Sequence, residues 1–195
     1  MNTNTMKTKA WLYWLLGMMP LAWLIWLGFT QSLGADPIKE LLHETGSWTL
    51  KFLLATLLIT PLIRIFRWTW LNPFRRTLGL LAFSYAFFHF LVYALLDLGL
   101  YWPQLLKDIT KRPYIMVGFA ALLLMLPLAI TSTNKWQRRL KRKWKKLHSL
   151  TYIIVPLGIL HFLWLVKADL LEPLIYAAIA TLLLGYRLWY KRKKR

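Results

Sequence analysis

The chain contains four histidines and no cysteine, so any metal or haem chemistry it performs must run through imidazole. His89 sits near the middle of an apolar stretch of membrane length, Leu78 to Leu96. Hydrocarbon offers no water to its ring nitrogens, and the side chain therefore needs a metal or a hydrogen-bond acceptor. Helical spacing places Gly79, Ala82, Ala86, His89 and Tyr93 on one shallow face. Such a face either lets a neighbouring helix approach closely or makes room for a flat cofactor standing against it. The absence of cysteine excludes disulfides, thiolate ligands and a C-x-x-C-H attachment, so a haem would have to be held non-covalently.

His161 is the counterpart of His89. Counted from the outer ends of their apolar runs, His89 is about nine residues deep and His161 about six, a difference of roughly 4 to 5 Å at 1.5 Å per residue. Two neutral imidazoles at one level can supply both axial positions of a haem iron, and Gly158 leaves space beside the His161 ring. The competing reading is that each ring bonds only to backbone or to Tyr and Thr of other helices. The matched depth, the shallow faces and the lack of acidic residues within the spans favour haem ligation.

His148 lies thirteen residues before His161, roughly 20 Å along a helix and about 220° around it, with Pro156 between them. It is a candidate ligand of a second haem, a contact for a donor's cofactor, or an interface residue. Arg75 and Arg76 occupy the place on the third span where a partner for such a second haem would stand. They are candidates for pairing with haem propionates or a flavin phosphate, although positive-inside retention and anionic-lipid contact account for the same charges. His43 reads as a solvated loop histidine just ahead of a helix that Thr45 or Ser47 can cap. Two other chemistries fare worse. A histidine-lined metal-ion transporter would want carboxylates inside the spans, and a hydrolase built on Ser84 would have its nucleophile about 140° around the helix from His89.

The elements that must position these residues are membrane spans. At 195 residues and 58% hydrophobic, with mean hydropathy +0.44, the chain reads as a single membrane domain over residues 1–195. Six apolar runs, Trp11 to Phe29, Trp48 to Phe66, Leu78 to Leu96, Tyr114 to Thr131, Leu147 to Val166 and Pro173 to Trp189, predict an all-α, six-helix transmembrane bundle. The first is read as a retained helix, since it lacks an A-x-A cleavage site. Tryptophans at the run ends, Trp11 among them, fit interfacial belts. The net charge of +19 is concentrated in alternate connections and tails, where 20 of the 26 Lys and Arg fall, while all seven acidic residues lie in the other three loops. The positive-inside rule then puts both termini in the cytoplasm and makes nucleic-acid binding a poor account of the charge. No G-x-G-x-x-G or P-loop is present, so the chemistry belongs to the bundle.

Taken together, several motifs resemble the ferric-reductase-like transmembrane haem proteins, and within them the haem-binding membrane subunits of bacterial periplasmic methionine sulfoxide reductase systems. The motifs are Gly34-Ala35-Asp36-Pro37, His43-x-Thr45-Gly46, Leu53 to Pro61, Arg75-Arg76-x-Leu78-Gly79-Leu80 leading to His89, Thr131-Ser132-Thr133, and Trp144-Lys145-x-Leu147-His148-x-x-x-Tyr152 followed by His161-x-x-Trp164. The resemblance implies a multi-pass inner-membrane b-type cytochrome with haem b and bound FMN. It would take electrons from the quinone pool or a cytosolic flavin reductase and pass them to a periplasmic molybdenum-containing catalytic subunit. Unlike the larger members, the chain has no fused flavin and nicotinamide domain and no second histidine on the third span.

Overall fold

The computed structural model describes residues 3–166 and 169–193, with side chains from Leu12 onward. The side chains of Lys7, Lys9 and Trp11 and the last two residues of the basic tail lie outside the described residues. Among the described residues the chain is helical and has no strand. The helices are α1 (Thr3–Phe29), α2 (Pro37–Phe66), α3 (Phe74–Leu91), α4 (Trp102–Lys111), α5 (Pro113–Ile130), α6 (Asn134–Leu140), α7 (Arg142–His148), α8 (Thr151–Leu165) and α9 (Leu171–Lys193). Among the described residues, six helical stretches are long and apolar enough to cross a membrane: Leu12–Phe29, Pro37–Phe66, Thr69–Asp97, Pro113–Ile130, Arg142–Leu165 and Leu171–Lys193.

α2 begins eleven residues before the expected Trp48, so Thr45 and Ser47 are interior residues, not caps. Asp36 is the cap: its side chain accepts from the Lys39 amide at 3.2 Å, Pro37 occupies the first turn, and Glu40 follows where the helix dipole favours an anion. Lys39 beside it holds the Asp36 carboxyl below its usual range. Gly34, at φ +83, makes the turn that brings the chain from α1 into this cap. His43 accordingly sits nearly two turns inside α2, not in a loop.

The core forms where α2, α3, α5, α8 and α9 meet, around Leu53, Leu57, Ala82, Met125, Val155 and Ala180. In a bilayer this packing rests on close fit between helices, and small residues permit it: Ala82 is fully enclosed. α1 is held differently. Pro20 lies within it, and the Tyr85 hydroxyl enters its backbone ladder, accepting from the Leu21 amide at 3.0 Å and donating to the Gly17 carbonyl at 2.9 Å. Most of the rest of α1 faces outward, including Trp23, Trp26 and Phe29, as an apolar helix against lipid should.

After α3 the helix widens into a π-helical segment, Val92–Asp97. The following α4 is a short amphipathic helix that the apolar runs did not predict. It is latched by Asp108, which is buried and accepts from the Tyr93 hydroxyl (2.6 Å), Gln104 (2.7 Å) and Arg112 (3.2 Å). All seven acidic residues belong to the connections and helix ends at one end of the bundle, hereafter the acidic end. Arg64, Arg75, Arg76, the Lys135 to Lys146 stretch and Arg187 gather at the opposite, basic end.

Candidate functional site

His89 projects from the last turn of α3 and His161 from the last turns of α8, and their rings are neighbours with centroids 6.0 Å apart and planes nearly perpendicular, at 86°. Each ring is fixed by a neighbouring helix. Nδ1 of His89 is 2.9 Å from the Leu42 carbonyl of α2, and Nδ1 of His161 is 2.7 Å from the Tyr114 carbonyl of α5. A carbonyl can only accept, so the proton of each neutral ring is on Nδ1 and each Nε2 keeps its lone pair. The Thr45 hydroxyl, 3.3 Å from the same His89 nitrogen and itself donating to the Leu41 carbonyl, reinforces this tautomer. This is the arrangement that orients and strengthens a metal-binding imidazole.

Two glycines make room for the rings. A Cβ on Gly118 would come within 2.6 Å of His161 Nδ1, and one on Gly46 within 3.3 Å of His89 Cε1. Both histidines face a cavity of about 580 Å3 bounded by α2, α3 with its π-segment, α4, α5 and α8. Its walls are mainly apolar, with Leu50, Phe90, Phe119, Met125 and Ile154 among them; its charged side chains, Lys39, Asp97 and Arg112, come from the acidic end.

Of the wall predicted from the sequence, Ala86, Tyr93 and Gly158 line this cavity. Ala82 and Gly79 do not: Ala82 is enclosed in the helix-packing core, and a Cβ on Gly79 would meet nothing within 4 Å. On α3 the stripe is longer than the cavity wall, which takes in only Ala86 and the residues toward the acidic end, although on α5 and α8 the cavity reaches as deep as Met125 and Ile154. Arg75 and Arg76, expected as propionate or flavin-phosphate contacts, do not line this cavity. They start α3 at the basic end, where Arg76 bonds Asn134, whereas the cations at the cavity are Lys39 and Arg112.

His148 is also outside the cavity. Its Nε2–H donates to the Thr131 hydroxyl at 3.1 Å and its ring stacks on Trp144 at 4.0 Å. His43, by contrast, joins the cavity wall, pairing with Glu172 at 3.0 Å and packing edge-on against Phe162. The sequence reading also passed over Gly118 and the Leu42 and Tyr114 carbonyls. Gly118 had a signal, a glycine in an otherwise bulky apolar span, but its target depends on which way α5 is rotated.

The donor set separates the ligands such a site can take. Among the described residues no three His, Cys, Asp or Glu cluster to hold a bare metal ion, so two imidazoles alone would leave most coordination positions empty. A haem brings four nitrogens and needs two axial ligands. An imidazole nitrogen meets a transition metal at about 2.0–2.1 Å with its ring centre about 1.1 Å behind, so two opposed rings on one ion have centroids about 6.3 Å apart. The observed centroid separation of 6.0 Å is close to that value, and the cavity that both rings face suits a flat apolar group.

Comparison with known proteins places the chain in a family. The family model described as "Ferric reductase like transmembrane component" matches residues 45–159, more than half of the chain. The chain belongs to this family. Within it, the chain is 54% identical over 173 residues to the protein-methionine-sulfoxide reductase heme-binding subunit MsrQ of Xanthomonas euvesicatoria pv. vesicatoria, covering 89% of this chain and 79% of that protein. It is 49% identical over 183 residues to the MsrQ subunit of Caulobacter vibrioides, covering 93% and 87%. No solved structure matches it. The ferric-reductase segment contains His89, Gly46, Tyr114 and Gly118, begins just after Leu42 and stops just before His161.

Proposed function

We propose that this chain is the haem-carrying membrane subunit of a methionine sulfoxide reductase system, with His89 and His161 as the axial ligands of a b-type haem. The observation that carries this reading is the pair of imidazoles 6.0 Å apart, each with Nδ1 committed to a backbone carbonyl, beside a cavity of about 580 Å3. Bound haem supplies reversible one-electron transfer. The residues of the chain do the rest. Leu42 and Tyr114 hold the two rings in one tautomer, Gly46 and Gly118 let them stand against the helices, and the apolar walls exclude water. Lys39 and Arg112, paired in this structure with Asp36 at 2.6 Å and Asp108 at 3.2 Å, are the cations that propionates would meet at the acidic end by exchanging those partners.

The charge distribution orients the route. With the basic end in the cytoplasm by the positive-inside rule, both termini are cytoplasmic and the cavity lies toward the outer face of the inner membrane. Electrons enter from quinol or a reduced flavin on the basic side and leave to a periplasmic molybdenum-containing catalytic subunit that docks on the acidic loops. The names of the MsrQ relatives support the system, and the depth of the cavity supports the direction of delivery.

The test is the reduced-minus-oxidised visible spectrum of the purified protein with haem counted per polypeptide. A b-type band is expected in the wild-type protein, with strong loss in His89→Ala and in His161→Ala. Absence of a band, or an unaltered one in the double variant, rejects the assignment.

A further inference from the structure

At the basic end, outside the cavity lining, three arginines from three helices converge with no carboxylate side chain beside them among the described residues. Arg187 of α9 donates through its terminal nitrogens to the Tyr152 hydroxyl (2.7 Å), the Leu57 carbonyl (2.8 Å) and the Thr60 hydroxyl (2.7 Å), and all three acceptors are neutral. Its Nε is buried and has no partner; so is the Nε of Arg75 on α3. Arg75 lies within electrostatic range of Arg187 and of Arg64, whose guanidinium sits 3.9 Å over the Tyr190 ring. Clustered guanidiniums with buried, unsatisfied N–H groups repel one another and lose hydration, so the arrangement is costly without a counter-charge. Among the described residues no carboxylate side chain supplies one here, because the Asp and Glu side chains are at the other end.

We propose that Arg64, Arg75 and Arg187, with Tyr152, frame a binding site for a phosphate group, carried by an anionic phospholipid of the adjoining leaflet. Arginine matches the chemistry, since its fork of N–H donors meets phosphate oxygens in pairs. The position matches the source. The site stands at the ends of three membrane-length stretches, where headgroups lie, and basic pockets between helices at that depth are suited to anionic headgroups. Exposed Ile65, Phe66, Leu188 and Trp189 beside it offer acyl chains an apolar surface. The site is independent of the haem assignment, because none of its residues lines the cavity.

Native mass spectrometry of the full chain in detergent, titrated with phosphatidylglycerol or phosphatidylcholine of the same acyl chains, tests this. Phosphatidylglycerol should be retained selectively, and Arg75→Gln and Arg187→Gln should each weaken its retention about fivefold, the worth of one arginine near an anionic surface. Arg139→Gln, which removes an exposed arginine of α6, should leave retention unchanged. Equal retention of the two lipids by the wild-type protein overturns the proposal, and this arm stands even if Arg187→Gln folds poorly after losing its bonds to Leu57 and Thr60. An equal loss in all three variants overturns the site. A parallel titration with inorganic phosphate and with flavin mononucleotide separates the sources: retention of either, with no preference between the lipids, would assign the phosphate to a soluble molecule and reject the lipid.

Discussion

An imidazole that donates its Nδ1–H to a backbone carbonyl is fixed in rotation and tautomer together, and its other nitrogen becomes a better electron donor. His89 and His161 both achieve this with carbonyls of neighbouring helices, at 2.9 and 2.7 Å, so each ligand depends on a helix other than its own. Gly118 is the sharpest test. A methyl group there would lie 2.6 Å from Nδ1 and 2.9 Å from Cε1 of His161, an approach that must displace the ring from Tyr114. Gly118→Ala is expected to lower haem affinity by about 10- to 100-fold, the usual cost of disturbing a ligand's outer contacts. Gly158→Ala should do far less, because its methyl would meet only the mobile tip of Leu50 at 3.1 Å. Haem titration of the two apoproteins compares them directly.

At the scale of elements, and among the described residues, α4 is latched by Asp108 and α1 by the Tyr85 hydroxyl. Asp108 joins α4 to the π-segment through Tyr93, and α4 closes one side of the cavity with Leu105 and Ile109. Asp108→Ala leaves the Tyr93 hydroxyl and Gln104 without their acceptor, a loss of about 1–3 kcal/mol. Faster transfer of haem to a scavenging apoprotein is the expected result, measured as a dissociation rate. α1 hangs on the Tyr85 hydroxyl, so Tyr85→Phe should loosen its docking by about 1 kcal/mol, seen as faster amide exchange at Leu21. Neither device was legible as such. The start of α2 was legible in principle, from Asp36, Pro37 and Glu40, but Lys39, Glu40, His43 and Glu44 lower the local hydropathy and hid eleven helical residues from a search for apolar runs. The amphipathic α4 was missed for the same reason: half of its face is polar.

For the whole molecule, the separation of charge is the dominant feature. A basic end and an acidic end, with six membrane-length stretches between them, predict that a cytoplasm-specific reporter fused after the carboxy terminus will be active and a periplasm-specific one silent. The opposite pattern would reverse the proposed direction of electron flow. The sequence by itself determined the spans, the split of charge between their ends and the four histidines, because hydropathy, charge and residue type are local properties that a linear string retains. It also singled out His89 and His161, since an imidazole inside hydrocarbon is costly wherever its helix is turned. Only the tertiary structure decided that His43 lines the cavity while Ala82 and His148 do not, that Lys39 and Arg112 are the cations at the cavity, and that Arg64, Arg75 and Arg187 converge at the basic end. These facts depend on how each helix is rotated and how far it slides against its neighbours. Packing between side chains distant in the chain sets both, and no periodicity within a single span records them.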